Sequence, residues 1–334
     1  VYQTFLNRLR ETTAQEGLQQ ADLRVAELAD VPRFPESPKI YVTLMMGLLG
    51  GLFLGVVSVG AAEYLSSGLS SKSDVENRLR IRYAGAIPLL DSTLENVRAT
   101  EPPHHYVVTH PLSMFAEAFR SVRAFLLLGG GSTGKARTVA VTSPLPKEGK
   151  TTTAICLGRS TAMGGSPTVL VDCDLRRRGV SELMGYRDGP DLLSYLTGQA
   201  SLDEVLQEDN ETGLFVLGVS DSQANDPDPL SPEAVQRLIG ELRERFKIII
   251  FDTAPILGVA DARIIAAAVD RVLIITKWRD TPIRASETAI DILLDAGAKI
   301  SGLALSQVDA RKYTAGGYAE GLGYGKKFRG YYVD

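Results

Sequence analysis

The sequence predicts an α/β fold: a mostly parallel β-sheet flanked by helices, preceded by one transmembrane helix. Three observations carry that expectation. From Pro111 onward, short β-rich runs alternate with helical patterns, the rhythm of parallel strands joined by helical crossovers. One such run ends in a loop that opens a helix with Gly149-Lys150-Thr151, the strand–loop–helix context of a phosphate-binding loop. Upstream, Ile40 to Ala62 carries no charged residue. At the helical rise it reaches ~34 Å, enough for a hydrocarbon core of ~30 Å.

The chain opens at Val1 rather than Met, as expected of a fragment or processed form. Val1 to Ala29 is polar, with Leu6, Leu9, Leu18, Leu23, Val25 and Leu28 at helical spacing, which suits one arm of a coiled coil or a surface helix. Pro32, Pro35 and Pro38 then recur every third residue, and proline there predicts a stiff, extended segment. Within the uncharged run, Gly47, Gly51 and Gly55 line one helix face and would admit a close helix partner. Arg33 and Lys39 flank it on one side; Lys72, Arg78, Arg80 and Arg82 follow it on the other. That bias places the C-terminal part in the cytoplasm.

Composition narrows the function classes. The net charge of -4 gives no general case for nucleic-acid binding. Cys156 and Cys173 are the two cysteines, expected as buried apolar residues in a reducing compartment. His104, His105 and His110 lack the company of a zinc site.

Strands are expected at Thr138–Thr142, Thr168–Val171, Leu214–Val219, Lys247–Phe251, Arg271–Ile275 and Gly302–Leu305. The first leads into Pro146, Lys147, Glu148, Gly149, Lys150, Thr151 and Thr152. Backbone N–H groups there would surround phosphates, with Lys150 reaching the outer ones and Thr151 holding Mg²⁺. The second ends in Asp172-Cys173-Asp174 and the fourth in Asp252. Ligands of parallel sheets bind at the carboxyl ends of strands, so these aspartates are expected beside the loop. Their hard oxygens suit Mg²⁺, held by Thr151, Asp174 and Asp252.

Together, the Gly-Lys-Thr-Thr loop, the V-L-V-D-C-D-L-R-R run and the I-I-I-F-D-T-A-P run resemble the Walker A, A′ and B motifs of bacterial tyrosine kinases, the BY-kinases. These are P-loop proteins related to the MinD/ParA group, whose additional loop lysine is here Leu145. The likeness is greatest to the chains of Gram-negative bacteria that join this kinase to a polysaccharide co-polymerase. It implies ATP and Mg²⁺ as cofactors and a protein-tyrosine autokinase that regulates exopolysaccharide or capsular polysaccharide polymerisation and export. Lys150, Asp172, Asp174 and Asp252 would be catalytic, with Asp172 receiving or orienting the phenol proton.

The resemblance further implies that Glu117, Arg120 and Arg123 mediate assembly of a homo-oligomeric ring with phosphorylation in trans. Tyr313, Tyr318, Tyr324, Tyr331 and Tyr332 would be phosphorylated, with a tyrosine phosphatase and the polysaccharide machinery as partners at the inner membrane. This chain departs from the pattern at Ser143, where a first glycine is usual, at Arg178, where proline is usual, and at Ser306-Gln307, where an adenine-binding Asn is usual.

The expected divisions are an extracytoplasmic helical segment (1–31), a Pro-rich segment (32–39), the transmembrane helix (40–62), a cytoplasmic linker (63–103), the kinase domain (104–309) and a Tyr-rich tail (310–334). The competing reading is a structural chain-length regulator whose P-loop binds ATP only to gate assembly.

Overall fold

The computed structural model describes residues 2–16, 39–65, 68–94, 101–128, 137–186, 189–220 and 230–315. The chain divides into two units, Val1–Ala62 and Glu63–Asp334. In the first, Tyr2–Glu16 and the start of Ile40–Leu65 are helical. Over Ile40–Gly60 the mean hydropathy is 2.2 and none of the span is buried. Length and apolar composition suffice for that helix to cross a membrane. The Pro-rich segment lies outside the described residues.

The second unit is built on one eight-stranded sheet: β1 (Tyr83–Pro88), β2 (Arg137–Thr142), β3 (Thr168–Cys173), β4 (Gln207–Asp209), β5 (Leu214–Leu217), β6 (Ile248–Thr253), β7 (Arg271–Lys277) and β8 (Ile300–Val308). Their spatial order is β1-β8-β7-β2-β6-β3-β5-β4. All pairings are parallel except the short β4–β5 edge hairpin. Every residue of β3 is buried, as a strand covered on both faces requires; hence its near-continuous apolar run rather than alternation.

Two apolar layers sandwich the sheet. One gathers Phe115, Phe119 and Val122 from helix Met114–Leu128 with Ile155 and Leu157 from helix Lys150–Met163. The other gathers Leu238 and Leu242 from Pro232–Arg245, Ile265 from Asp261–Ala268, and Ile290 and Leu293 from Ile283–Asp295. Pro232 follows the N-cap Ser231, whose side chain accepts from the N–H of Ala234, a standard helix start.

Two expected boundaries are corrected. The segment 63–103 is not a plain linker. It contributes a helical turn (Asp74–Arg78), strand β1 and a helix (Leu90–Thr93), and it buries Leu69, Val75 and Ile87. Strand β1 reads Tyr-Ala-Gly-Ala-Ile-Pro. Glycine and proline disguise it, and both are tolerated because it is the sheet's edge.

The tail does not begin at residue 310 either. Ala310–Ala315 is a helix that returns Tyr313 to the core, 1% exposed, edge-on to Trp278 at 6.2 Å. Its hydroxyl lies 3.5 Å from that of Tyr83. In this fold Tyr313 is therefore an anchor and not an accessible phosphoacceptor. Tyr318, Tyr324, Tyr331 and Tyr332 lie outside the described residues.

A truncation here should be felt as a core cavity. Tyr313→Ala is expected to destabilise the protein by about 3–5 kcal/mol, whereas Tyr313→Phe, which keeps the ring, should cost about 1 kcal/mol or less. Chemical denaturation of the two variants checks this. Equal, negligible losses would mean that the helix Ala310–Ala315 does not dock.

Candidate active site

The strand order sets β2 between β7 and β6, with β3 beyond β6. The loop after β2 therefore meets the ends of β6 and β3 on one side and the ends of β7 and β8 on the other. Gly149 caps the following helix at φ 84°, a left-handed conformation that glycine adopts without a Cβ penalty. Lys147 is also left-handed, at φ 65°, so the turn carries strain where the loop must present its amides. The Ser143 hydroxyl donates to the Leu145 carbonyl at 2.7 Å. The residue that departs from the usual glycine thus closes the loop with a bond that glycine cannot make.

Pro146, Lys147, Gly149, Lys150, Thr151 and Thr152 line a cleft of about 300 Å³, together with Arg177, Pro255 and Gln307. The Glu148 side chain does not line it, so what this residue can offer a phosphate is its backbone N–H. It is 3% exposed and accepts from the Leu145 N–H at 2.7 Å and from the Thr281 hydroxyl. Burial pushes its carboxyl upward against those hydrogen bonds. Its side chain braces the loop from within.

The Lys150 ammonium sits 2.8 Å from Asp174 Oδ2 and 3.4 Å from Asp252 Oδ1, and it donates to the Thr151 hydroxyl at 3.2 Å. Burial opposes its charge, but Asp252 and Asp174 outweigh that and raise its pKa. Asp172 pairs in register with Asp252 across β3–β6. Burial, then the charge of Asp252, pushes Asp172 up to about 7. Burial foremost pushes Asp252 up to about 6. Three buried carboxylates around one ammonium cannot all ionise without cost.

The residues expected around the magnesium are thus brought together, and they fit a divalent cation. Asp252 Oδ2 is buried with no hydrogen bond, and the Lys150 ammonium stands where a cation would bridge the carboxylates. Among the described residues, no group of three or more His, Cys, Asp or Glu side chains is arranged to hold a metal by itself. Magnesium bound through one or two carboxylates plus substrate phosphates needs no such cage.

Asp172 departs from its expected role. It is 0% exposed. One oxygen accepts from the N–H groups of Val180 at 3.0 Å and Ser181 at 3.2 Å, the other from that of Asp174 at 3.2 Å. Both oxygens are committed to holding the β3 loop and the helix Gly179–Met184. Gly179 belongs to the same construction: a Cβ there would meet the Thr151 side chain at 3.1 Å.

At the Ser306–Gln307 departure the two side chains point to different places. Ser306 is buried, and its hydroxyl donates to the Glu148 carbonyl with the Thr276 carbonyl at 3.2 Å as the alternative acceptor. Gln307 lines the cleft and donates to the Lys147 carbonyl at 3.0 Å. Sequence reasoning missed Arg177 and Pro255; their positions just after Asp174 and Asp252 were the available signal.

The expected assembly residues lie on helix Met114–Leu128. Glu117 and Arg120 pair at 2.9 Å. Arg123 turns inward and donates to the Ser160 carbonyl at 2.6 Å, so it ties this helix to the helix Lys150–Met163. Cys156 and Cys173 are free and buried.

Comparison with known proteins agrees with this geometry. Residues 137–287 match the family described as an AAA domain. The succinoglycan biosynthesis transport protein ExoP of Rhizobium meliloti is 26% identical over 363 residues, covering 100% of this chain and 46% of that protein. The putative tyrosine-protein kinase EpsB of Ralstonia solanacearum is 26% identical over 331 residues, covering 98% of this chain and 44% of that protein. The chain thus spans less than half the length of these relatives. The solved kinase domain of Escherichia coli tyrosine kinase ETK shares the fold, with a TM-score of 0.63 and 24% identity over 72% of this chain and 95% of that one. The chain is thus similar in sequence to an exopolysaccharide transport protein and a putative tyrosine-protein kinase, and it shares the fold of a solved tyrosine kinase domain.

Proposed function

We propose that the chain is the membrane-anchored kinase part of an exopolysaccharide or capsular polysaccharide system, transferring phosphate from ATP to tyrosines beyond Ala315. The observation that carries this is Lys150 held between Asp174 and Asp252 at the floor of an otherwise open phosphate loop. The kinase names of the relatives and the apolar helix support the activity and the inner-membrane setting. The kinase domain would face the cytoplasm, where ATP is available.

The phenol oxygen attacks the terminal phosphorus of ATP, the bond from that phosphorus to the bridging oxygen breaks, and ADP leaves. Loop amides and Lys150 stabilise the charge on the phosphates. Thr151, Asp174 and Asp252 would hold Mg²⁺, which supplies further neutralisation of the phosphate oxygens. Asp172 positions the loop beneath Asp174 and does not take the phenol proton, because it is 0% exposed and does not line the cleft. A loose transition state asks little of a base, and the proton passes to solvent at the cleft mouth.

The competing gate-only regulator predicts no phosphotyrosine. Intact-mass measurement after incubation with Mg-ATP should show phosphate additions on tyrosine in the wild type. Lys150→Met should reduce them at least ~100-fold. Unmodified wild-type protein that nonetheless binds ATP would favour the gate.

The carboxylate cluster gives a pH signature in metal-free protein. Asp172 and Asp252 have folded-state pKa values above the ordinary carboxylate value. Between about pH 4 and 7 the native state therefore binds more protons than the unfolded chain, and stability falls as pH rises. Thermal unfolding with a chelator should show Tm dropping from pH 5.5 to 8. Asp252→Asn should flatten the drop, and the difference between the two proteins cancels the His104 and His105 titrations. A Tm difference that is constant across the range would mean that these carboxylates ionise normally in the fold.

Ring assembly with trans phosphorylation extends the same proposal, with a tyrosine phosphatase to reset the tail. Replacing Glu117 and Arg120 with alanine leaves the Arg123–Ser160 bond intact and should dissociate the oligomer. Sedimentation that is unchanged from wild type would reduce that pair to a local ion pair on a solvated helix.

A further inference from the structure

The geometry points to Arg177 as a further catalytic residue, one that grips the terminal phosphate of the bound nucleotide. This rests on the kinase reading of the cleft. The lining of that cleft includes Lys147, Lys150 and Arg177 and no carboxylate. Lys150 is already committed to Asp174 and Asp252. Arg177 is exposed, yet its backbone is pinned: its N–H is shared between the Asp174 carbonyl at 3.0 Å and Asp174 Oδ1 at 3.3 Å. The next residue, Arg178, is left-handed at φ 49° and ties its own guanidinium to the Ser220 carbonyl at 2.8 Å. The turn is therefore fixed at both ends of Arg177, while the Arg177 side chain is left to the cleft.

Topology says which part of the nucleotide it meets. Gln307 and Lys147 are bonded to each other on the β8 side of the loop. Arg177 and Pro255 follow β3 and β6 on the opposite side. The Lys150 ammonium, which serves the outer phosphates, lies on the β3–β6 side. A nucleotide threaded through the loop thus has its terminal phosphate under Arg177 and its base toward Gln307. Guanidinium binds phosphate through two parallel N–H groups. Charge gathers on the phosphoryl oxygens as the bond to ADP breaks, so the grip strengthens toward the transition state.

Binding measurements on the full chain in detergent micelles with Mg²⁺ test this, using ADP and an ATP analogue with a non-hydrolysable β–γ bridge. Arg177→Ala should weaken the triphosphate analogue roughly 10- to 100-fold while leaving ADP within about threefold. Arg177→Lys should recover part of the loss. Lys147→Ala removes one charge from the opposite side and should weaken both nucleotides alike. Phosphotyrosine formation in single turnover should fall about 100-fold or more in Arg177→Ala. Equal loss for both nucleotides in Arg177→Ala, no loss for either, or the same discrimination in Lys147→Ala would overturn the assignment. Wild-type protein that binds the analogue with the Arg177 dependence described, but forms no phosphotyrosine, would sink the kinase reading and leave Arg177 as a terminal-phosphate ligand.

Discussion

Lys150 lies within ion-pair distance of Asp174 and Asp252, with Asp172 paired to Asp252 across the sheet. One cation against three carboxylates leaves the cluster short of positive charge, and it is buried, where that shortage costs most. Much of the surrounding architecture follows from this imbalance. Strands β6 and β3 must be neighbours to bring the aspartates together. The N–H groups of Asp174, Val180 and Ser181 must turn toward Asp172 to solvate it. The remaining deficit is a standing demand for a cation. Asp174 and Asp252 would hold a divalent ion there, which would supply the missing positive charge.

The parts of this site written as contiguous motifs were legible in the sequence. A strand followed by Gly-Lys-Thr, and aspartates at two strand ends, reveal themselves because local spacing and parallel-sheet geometry leave few alternatives. What depended on side-chain direction was not legible. Glu148 sits inside the loop motif but faces the interior, because its partner Thr281 comes from the turn after β7. Asp172 and Asp174 look equivalent two residues apart, yet one is sealed by backbone amides and the other faces Lys150. Strand β1 was hidden because an edge strand tolerates the glycine and proline that otherwise argue against a strand. Tyr313 was hidden because a Gly- and Tyr-rich neighbourhood has no core-forming period, and a single short helix needs none.

The fold also joins segments that sequence reading kept apart. Gly68 bridges to Pro282, and the Arg279 N–H donates to the Leu69 carbonyl at 2.8 Å. A Cβ at Gly68 would fall 2.4 Å from the Arg279 backbone, so only glycine permits that approach. The turn after β7 that receives these residues also supplies Thr281 to Glu148. The stretch that follows the apolar helix is thereby part of the domain's core rather than a tether to it.

Trp278 stands at that junction, and it is the one tryptophan in the chain. Its indole N–H donates to the Ser70 carbonyl at 2.9 Å, one edge meets Tyr313, and the Arg279 guanidinium covers its face at 4.6 Å. Tryptophan emission from this protein, excited selectively over its tyrosines, is therefore a spectrum of a single place, where the segment after the apolar helix, the turn after β7 and the last described helix meet. Detaching either chain segment would admit water to the indole and shift its emission to the red. The protein carries its own optical probe where these three elements meet.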